Sequence, residues 1–321
     1  MMKFLDFLLN ALAIGITFLY GSTGEIITEK AGHLNLGIPG IMGVGAACGC
    51  AALNVLCSTG TVPPALIVIL GILAALAGGA LMGLLYSFLA VTLRSNQNVT
   101  GLAMTIFGIG LTKFVFNRIQ QTSVDGVKYL IAKKYFRFPF AWSTTSLQYL
   151  GVMVFLGIAV AIVSSIILSR TRVGLHLRAV GESPATADAA GINVTRYKYV
   201  ATIIGSAIAA LGGLFYVMDY SGSPEAYLSV EAMGWLSVAL VIFSLWRPYL
   251  SIFGSFAFGA LFILGSFLPS FGLSVDVATS NLVKTLPYVV TIIVLIITSI
   301  RNRRENQPPA SLGVSYFRED R

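Results

Sequence analysis

Charge is scarce in this chain: only 11% of its 321 residues are Asp, Glu, Lys or Arg, against roughly a quarter in soluble domains. Water is thereby excluded as its main solvent. No charged residue or histidine occurs from Ile38 to Leu93, and further charge-free runs lie at 95–112, 138–169, 199–218, 232–246, 248–275 and 285–300. Period-two patterning is also missing, which excludes a strand barrel as the way of crossing a membrane. No Gly-Lys dipeptide occurs, so a phosphate-binding loop of the Gly-x-x-x-x-Gly-Lys-Ser/Thr type is impossible. Only two histidines, His33 and His176, are present, neither joined to an evident nucleophile or metal cluster, which argues against a membrane-embedded enzyme and a metal site. The three cysteines, Cys48, Cys50 and Cys57, fall in or beside one apolar run, where Cys serves as a small packing residue. Ionisable residues inside the apolar runs are nearly lacking, with Asp6, Asp219, Glu231 and Asp276 all near ends. That counts against the rival class, a transporter driven by an ion gradient, which needs such groups as relays.

What is present reads as an all-α polytopic membrane protein with about 8–10 transmembrane helices, since a lipid-exposed backbone must satisfy its hydrogen bonds within a helix of about 20 residues. Spans are predicted near 4–21, 38–57, 63–92, 98–117, 147–169, 199–218, 232–247, 249–268 and 282–300 of a membrane domain covering 1–300, followed by a basic tail, 301–321. Lys3 and the apolar stretch Phe7–Tyr20 read as the first helix, because no convincing cleavage site follows. The 63–92 run is overlong for one crossing, and Gly78-Gly79 allows either a kinked, tilted helix or a tight hairpin. Basic residues explain the net charge of +8 as cytoplasmic flanks rather than as a nucleic-acid site. Arg170, Arg172, Arg178, Arg196 and Lys198 place 170–198 inside, and Arg301, Arg303 and Arg304 place the C-terminus there too. The segment 119–146 then lies outside despite its lysines, and its aromatic and basic mixture suits a piece at the membrane surface. The 33 glycines stand at packing intervals, as in Gly45-x-x-x-Gly49 and Gly79-x-x-x-Gly83. Asn98-Val-Thr and Asn193-Val-Thr match a glycosylation acceptor only by accident of composition.

Three segments carry chemistry. Residues 24–40 hold Glu25, Glu29, Lys30, His33 and Asn35 between two apolar runs, with four glycines and Pro39 opposing a continuous helix. The stretch is either a loop whose charges pair locally or a broken, re-entrant element bordering a transport path. Residues 94–101 supply Asn96, Asn98 and Thr100 at the start of the fourth span, either as helix caps or as hydrogen-bonding groups for a neutral polar solute. In residues 171–194, Ser183 can cap a helix, Pro184 suits its first position, Ala185 to Ala190 propagate it and Gly191 suits a left-handed end. So short a helix cannot repay its nucleation alone and is expected to dock into a partner's groove.

Residues 171–194 resemble the cytoplasmic coupling segment of permeases from the branched-chain amino acid, simple sugar and nucleoside group of ABC importers. Residues 22–45, 94–112, 196–213 and Pro309-Ala-Ser-Leu-Gly-Val-Ser-Tyr resemble the shorter permease of bacterial nucleoside importers. Departures stand at Pro39 and in Ile242-Phe-Ser-Leu-Trp-Arg-Pro. The resemblance implies a multi-pass protein of the bacterial inner membrane forming half of a solute path. Its implied partners are a second, non-identical permease, cytoplasmic ATPase subunits and an external solute-binding lipoprotein, with lipid around it and no nucleic acid. The chain itself would bind no cofactor, ATP being used by the partner subunits. Coupling to the ATPase is expected through Arg178, Gly181, Glu182, Ser183, Pro184, Ala187, Asp188, Ala190 and Gly191, so that bulk at Ala187 or Ala190 would block it. The path is expected to involve Glu29, His33, Asn35, Asn96, Asn98, Thr100, Phe107 and Trp235. Without clustered cations in the spans, a free nucleoside is favoured over a phosphorylated solute. A simple sugar or an aromatic vitamin such as riboflavin suits the same amide and hydroxyl groups.

Overall fold

The computed structural model describes residues 2–122, 127–137, 150–272, 276–301 and 307–317. Among these the chain is helical, without strands. Its helices in order are α1 (Met2–Lys30), α2 (Ile38–Thr59), α3 (Pro64–Ser87), α4 (Gln97–Thr122), α5 (Lys133–Phe136), α6 (Val152–Arg170), α7 (Arg172–Glu182), α8 (Pro184–Ala189), α9 (Val194–Leu214), α10 (Val230–Phe243), α11 (Pro248–Phe267), α12 (Val277–Val283) and α13 (Leu286–Arg301). Nine helical stretches among the described residues are long and apolar enough to cross a membrane, so this is a multi-pass membrane protein.

Helix boundaries follow local chemistry. Thr171, Ser183, Asn193 and Asp276 each accept a hydrogen bond from the backbone N–H three residues on, which starts α7, α8, α9 and α12. Asn96 does the same for α4, accepting from the N–H groups of Asn98 and Val99. Both Asn-Val-Thr tripeptides sit at helix starts, and Asn193 is itself a cap, whereas Asn98 donates its N–H to the cap at Asn96.

Of the two readings open at Gly78-Gly79, the single helix holds and the hairpin does not: α3 runs on through a π turn, Phe88–Thr92, as a single crossing. The expected end of the first span is corrected, for α1 does not stop near residue 21 but carries Glu25 and Glu29 on its last turns. Gly24 is not a breaker; it is the point where α1 meets the backbone of α9 at Gly205. The broken element is confined to residues 31–37, where Gly32 turns the chain with φ +83°.

Helix α9 is the axis of the bundle. The small faces of α1, α2 and α3 pack against it, at Gly24 on Gly205, Gly45 on Ala210 and Gly83 on Ser206. With lipid as apolar as leucine, such close backbone approach supplies the dispersion contact that a hydrophobic effect cannot.

At the far end of α9 from its cap, Arg137 Nε donates to Asp219 Oδ1 at 2.8 Å, with only 11% and 1% of the two side chains exposed. This clamp ties down residues 127–137, whose Tyr129, Ala132 and Phe136 are fully buried. The expectation of a surface-lying segment is thus corrected for its described part, because the aromatic groups insert into the protein. Phe138 and Trp142 lie outside the described residues. Asp219→Ala removes the carboxylate from a nearly buried ion pair while the backbone carbonyl of residue 219 remains an acceptor for Arg137, a loss of up to about 3 kcal/mol. The expected outcome is a markedly lower unfolding temperature in detergent, whereas an unchanged one would show the clamp to be dispensable.

Candidate functional site

The break between α1 and α2 is held by buried side chains from four directions. Glu25, on the last turns of α1, accepts from the Asn35 N–H at 3.1 Å, and Gln97, on the first residue of α4, accepts from the Leu34 N–H at 2.8 Å. Tyr86 of α3 donates its hydroxyl to the Leu34 carbonyl, and Thr105 of α4 donates to that of Leu36, both at 2.7 Å. Asn35 Oδ1 closes the turn by accepting from the Gly37 N–H at 3.0 Å. A non-helical stretch inside an apolar bundle leaves its peptide groups without helical partners, and these contacts replace them.

Glu29, one turn after Glu25, accepts from the indole N–H of Trp246. Trp246 and Leu245 occupy the α10–α11 turn with φ of +55° and +52°, left-handed values that ordinary side chains adopt at a cost. That turn falls in the stretch where the sequence departs from the resembled permeases, and its indole latches α11 to the end of α1. His33 Nδ1 lies 2.9 Å from Thr202 Oγ1, with its ring edge-on to Tyr86. Burial, reinforced by the Lys198 ammonium, pushes its pKa well below the usual histidine value, so it sits in the joint as neutral imidazole.

Of the expected path residues, Glu29, His33, Asn35 and Thr100 are 6% exposed or less and are consumed in this joint and in the α4 cap. Asn96 is the cap itself. Asn98 and Phe107 are both exposed on α4 but, nine residues apart, point to opposite sides of it, and Trp235 is half-buried on α10. In this conformation the eight do not gather into one lining. Glu25 was legible as part of the broken segment, whereas Tyr86, Gln97, Thr202 and Trp246 were not singled out as members of the joint. Their only signal was the presence of polar or aromatic groups beside otherwise apolar runs.

The expected coupling residues do come together. Helix α8 begins at Pro184 under the Ser183 cap and is followed by Gly191 at φ +79°. Ala187 is 3% exposed, packed with Val180 and Val194. The expectation that bulk at Ala187 would strike a partner is therefore corrected: it would strike this chain's own core. The open face of α8 is Ala185, Thr186 and Ala189, continuing to Ala190 and Gly191. Arg178 and Glu182 are exposed on α7, and Arg178 Nε reaches the Gly174 carbonyl at 3.4 Å. Gly181 is buried against the Lys30 carbonyl and Gly32, joining the end of α7 to the end of α1.

The tail is no loose appendage. Its residues 307–317 fold back as a strap across this junction. Ser311 donates both its N–H and its hydroxyl to the Gly181 carbonyl, and the Gly313 N–H donates to that of Gly32 at 3.3 Å. Tyr316 donates to Asp188 Oδ2 at 2.9 Å, and the Arg94 guanidinium lies 4.7 Å over the Phe317 ring. One strap thus binds the coupling helix, the break and the start of α4. The arrangement is a mechanical joint in which most polar groups are engaged with one another, while Glu25 Oε2 and Asn35 Nδ2 are buried without a hydrogen-bond partner among the described residues.

Over residues 7–298 the chain matches the family described as the permease component of branched-chain amino acid transport systems. It is 32% identical, over 99% of both chains, to TsgC13 of Haloferax volcanii, a permease protein named for a glucose ABC transporter. It is 29% identical to the nucleoside ABC transporter permease protein NupC of Lactococcus lactis subsp. cremoris, over 89% of this chain and 90% of that one. The guanosine ABC transporter permease protein NupQ of Bacillus subtilis is also 29% identical, over 93% of this chain and 92% of its own. The chain belongs to this family of ABC transporter permease components.

Proposed function

We propose that this chain forms half of the solute path of an ATP-driven nucleoside importer in a bacterial inner membrane, with its C-terminus cytoplasmic. A second, non-identical permease would complete the path, cytoplasmic ATPase subunits would hydrolyse ATP, and an external solute-binding lipoprotein would deliver the solute. The observation that carries the reading is the junction at Gly181, where a short capped helix fit to dock on a partner is welded to the broken element. Movement of α8 would pass through Gly181 to the end of α1, and from the break through Gln97 to α4. Asn98 and Phe107 are both exposed on α4, an amide at its start and an aromatic ring about two and a half turns on, and each is a group type suited to a neutral, ring-bearing solute. Near full-length likeness to permeases named for nucleosides supports the solute class. A simple sugar is the second reading, favoured by the likeness to TsgC13.

The test is uptake by the reconstituted complex of both permeases, ATPase and binding protein. Accumulation of labelled guanosine or uridine that requires internal ATP and survives ionophores is expected. Accumulation of glucose with no nucleoside uptake would replace the solute assignment. Uptake abolished by ionophores and indifferent to ATP would overturn the importer reading itself.

A further inference from the structure

A second polar feature lies beside the joint. Between the strap, α8 and the first turns of α9 is a cavity of about 640 Å³, within the size range of small-molecule sites. Three cations line it, Arg94, Arg196 and Lys198, against one carboxylate, Asp188, which already accepts from Tyr316. Lys198 is 3% exposed, and its ammonium has no hydrogen-bond or ion-pair partner among the described residues. A buried ammonium without an anion is costly, because low dielectric surroundings replace water that would otherwise solvate it. The N-terminus of α9 also opens here: Val194 and Thr195 line the cavity, adding the positive end of a long helix. Arg94 is held at φ +55°, a backbone value unusual for arginine, in the turn that sets its guanidinium over Phe317 at the rim.

We propose that this cavity binds a phosphate-bearing anion, with Lys198 at its floor and Arg94 and Arg196 at its rim. Guanidinium groups and helix amides suit phosphate oxygens, and the ammonium supplies a point charge where the ligand enters deepest. The volume exceeds that of inorganic phosphate and accommodates a phosphate ester, either a lipid headgroup or a soluble nucleotide. Because the walls come from the strap, α8, α9, His33 of the break and the turn after α3 at Ala90, Val91 and Arg94, a bound anion ties the coupling segment to the joint. The site is independent of which solute crosses the membrane, so failure of the solute assignment leaves it standing.

The test uses the purified full chain. One arm measures its unfolding temperature in phosphatidylcholine nanodiscs with pyrophosphate or ATP against chloride at equal ionic strength. The other compares nanodiscs with and without phosphatidylglycerol. At least one arm should raise the wild-type midpoint by about 3 °C or more, as expected for a ligand well above its dissociation constant. Lys198→Met and Arg94→Gln should each lose at least half of that rise, while Lys113→Met, an exposed lysine elsewhere on α4, should keep it. A response confined to the soluble anions identifies a nucleotide-like ligand; one confined to phosphatidylglycerol identifies a lipid headgroup. Should Lys198→Met not fold, the exposed Arg94→Gln decides. No rise in either arm, or the full rise retained in Arg94→Gln, would overturn the proposal.

Discussion

A Gly181→Val variant is expected to remain folded and membrane-inserted yet lose at least about 90% of ATP-dependent uptake, a coupling loss of about 1.4 kcal/mol or more. A Cβ on Gly181 would lie 3.3 Å from the Gly32 nitrogen and closer still to the Lys30 carbonyl oxygen. Both obstacles are backbone, so no rotamer change relieves them, and the end of α7 must lift away from the end of α1. The Gly181 carbonyl that accepts twice from Ser311 moves with it, loosening the strap. The close helix contacts deeper in the bundle, at Gly45 on Ala210 and Gly213 on Met42, do not involve Gly181, and the unfolding temperature should fall only modestly. As a comparison, Ala189→Trp adds bulk on the open face of α8 and should reduce uptake by blocking the ATPase rather than by parting α7 from α1. The two defects separate in a binding assay: Ala189→Trp should lose the ATPase from the purified complex, whereas Gly181→Val should retain it. Near-normal uptake by Gly181→Val would show that coupling does not pass through this contact.

Gly213→Val is expected to yield no monodisperse protein at all. Its added carbon would meet the Met42 carbonyl oxygen of α2 well inside contact distance, with the Met42 Cα at 3.1 Å. Overpacking ordinarily costs about 1–3 kcal/mol, and the cost rises where backbone cannot yield. Here it cannot, because the same two helices are pinned at Gly45 on Ala210, and α9 is held as well by α3 at Gly83 on Ser206 and by α1 at Gly24 on Gly205. Gly110→Ala on α4 is the matched control: it stands exposed, with nothing within 4 Å of an added Cβ, and should purify like the wild type. The measurement is size-exclusion chromatography of fluorescently tagged protein in detergent. A sharp monomer peak for Gly213→Val would show that α2 and α9 can separate without loss of the fold.

Spans and caps were legible in the residues because both arise from neighbours in the chain. Transfer of an apolar run into lipid depends on its own side chains, so the charge-poor runs announced about 8–10 spans, and nine helical stretches among the described residues are long and apolar enough to be such. Ser183, Pro184 and Gly191 similarly marked α8, since a cap bonds to an amide only three residues away. Glu25 and Glu29 show where this stops working. Read locally, two carboxylates near a run of glycines implied a broken, partly solvated loop. Their burial depends on partners that only the fold brings near, the Asn35 amide and the indole of Trp246, 217 residues along the chain.

The sequence by itself therefore determined the solvent, the approximate number of apolar spans, the short helix that begins at Pro184 and, through ordered resemblance, the family. Tertiary structure alone decided which face each element shows. Ala187 turned out to be core while Ala189 is surface, a distinction that helical spacing cannot make on an all-small helix. The tail became a strap because Gly181, Gly32 and Asp188 offered it backbone and carboxylate acceptors. Lys198, which reads on paper as a flank at the membrane edge, became the floor of a cavity. In each case the deciding energies are hydrogen bonds and close packing between residues far apart in sequence, and such pairings leave no periodic trace along the chain.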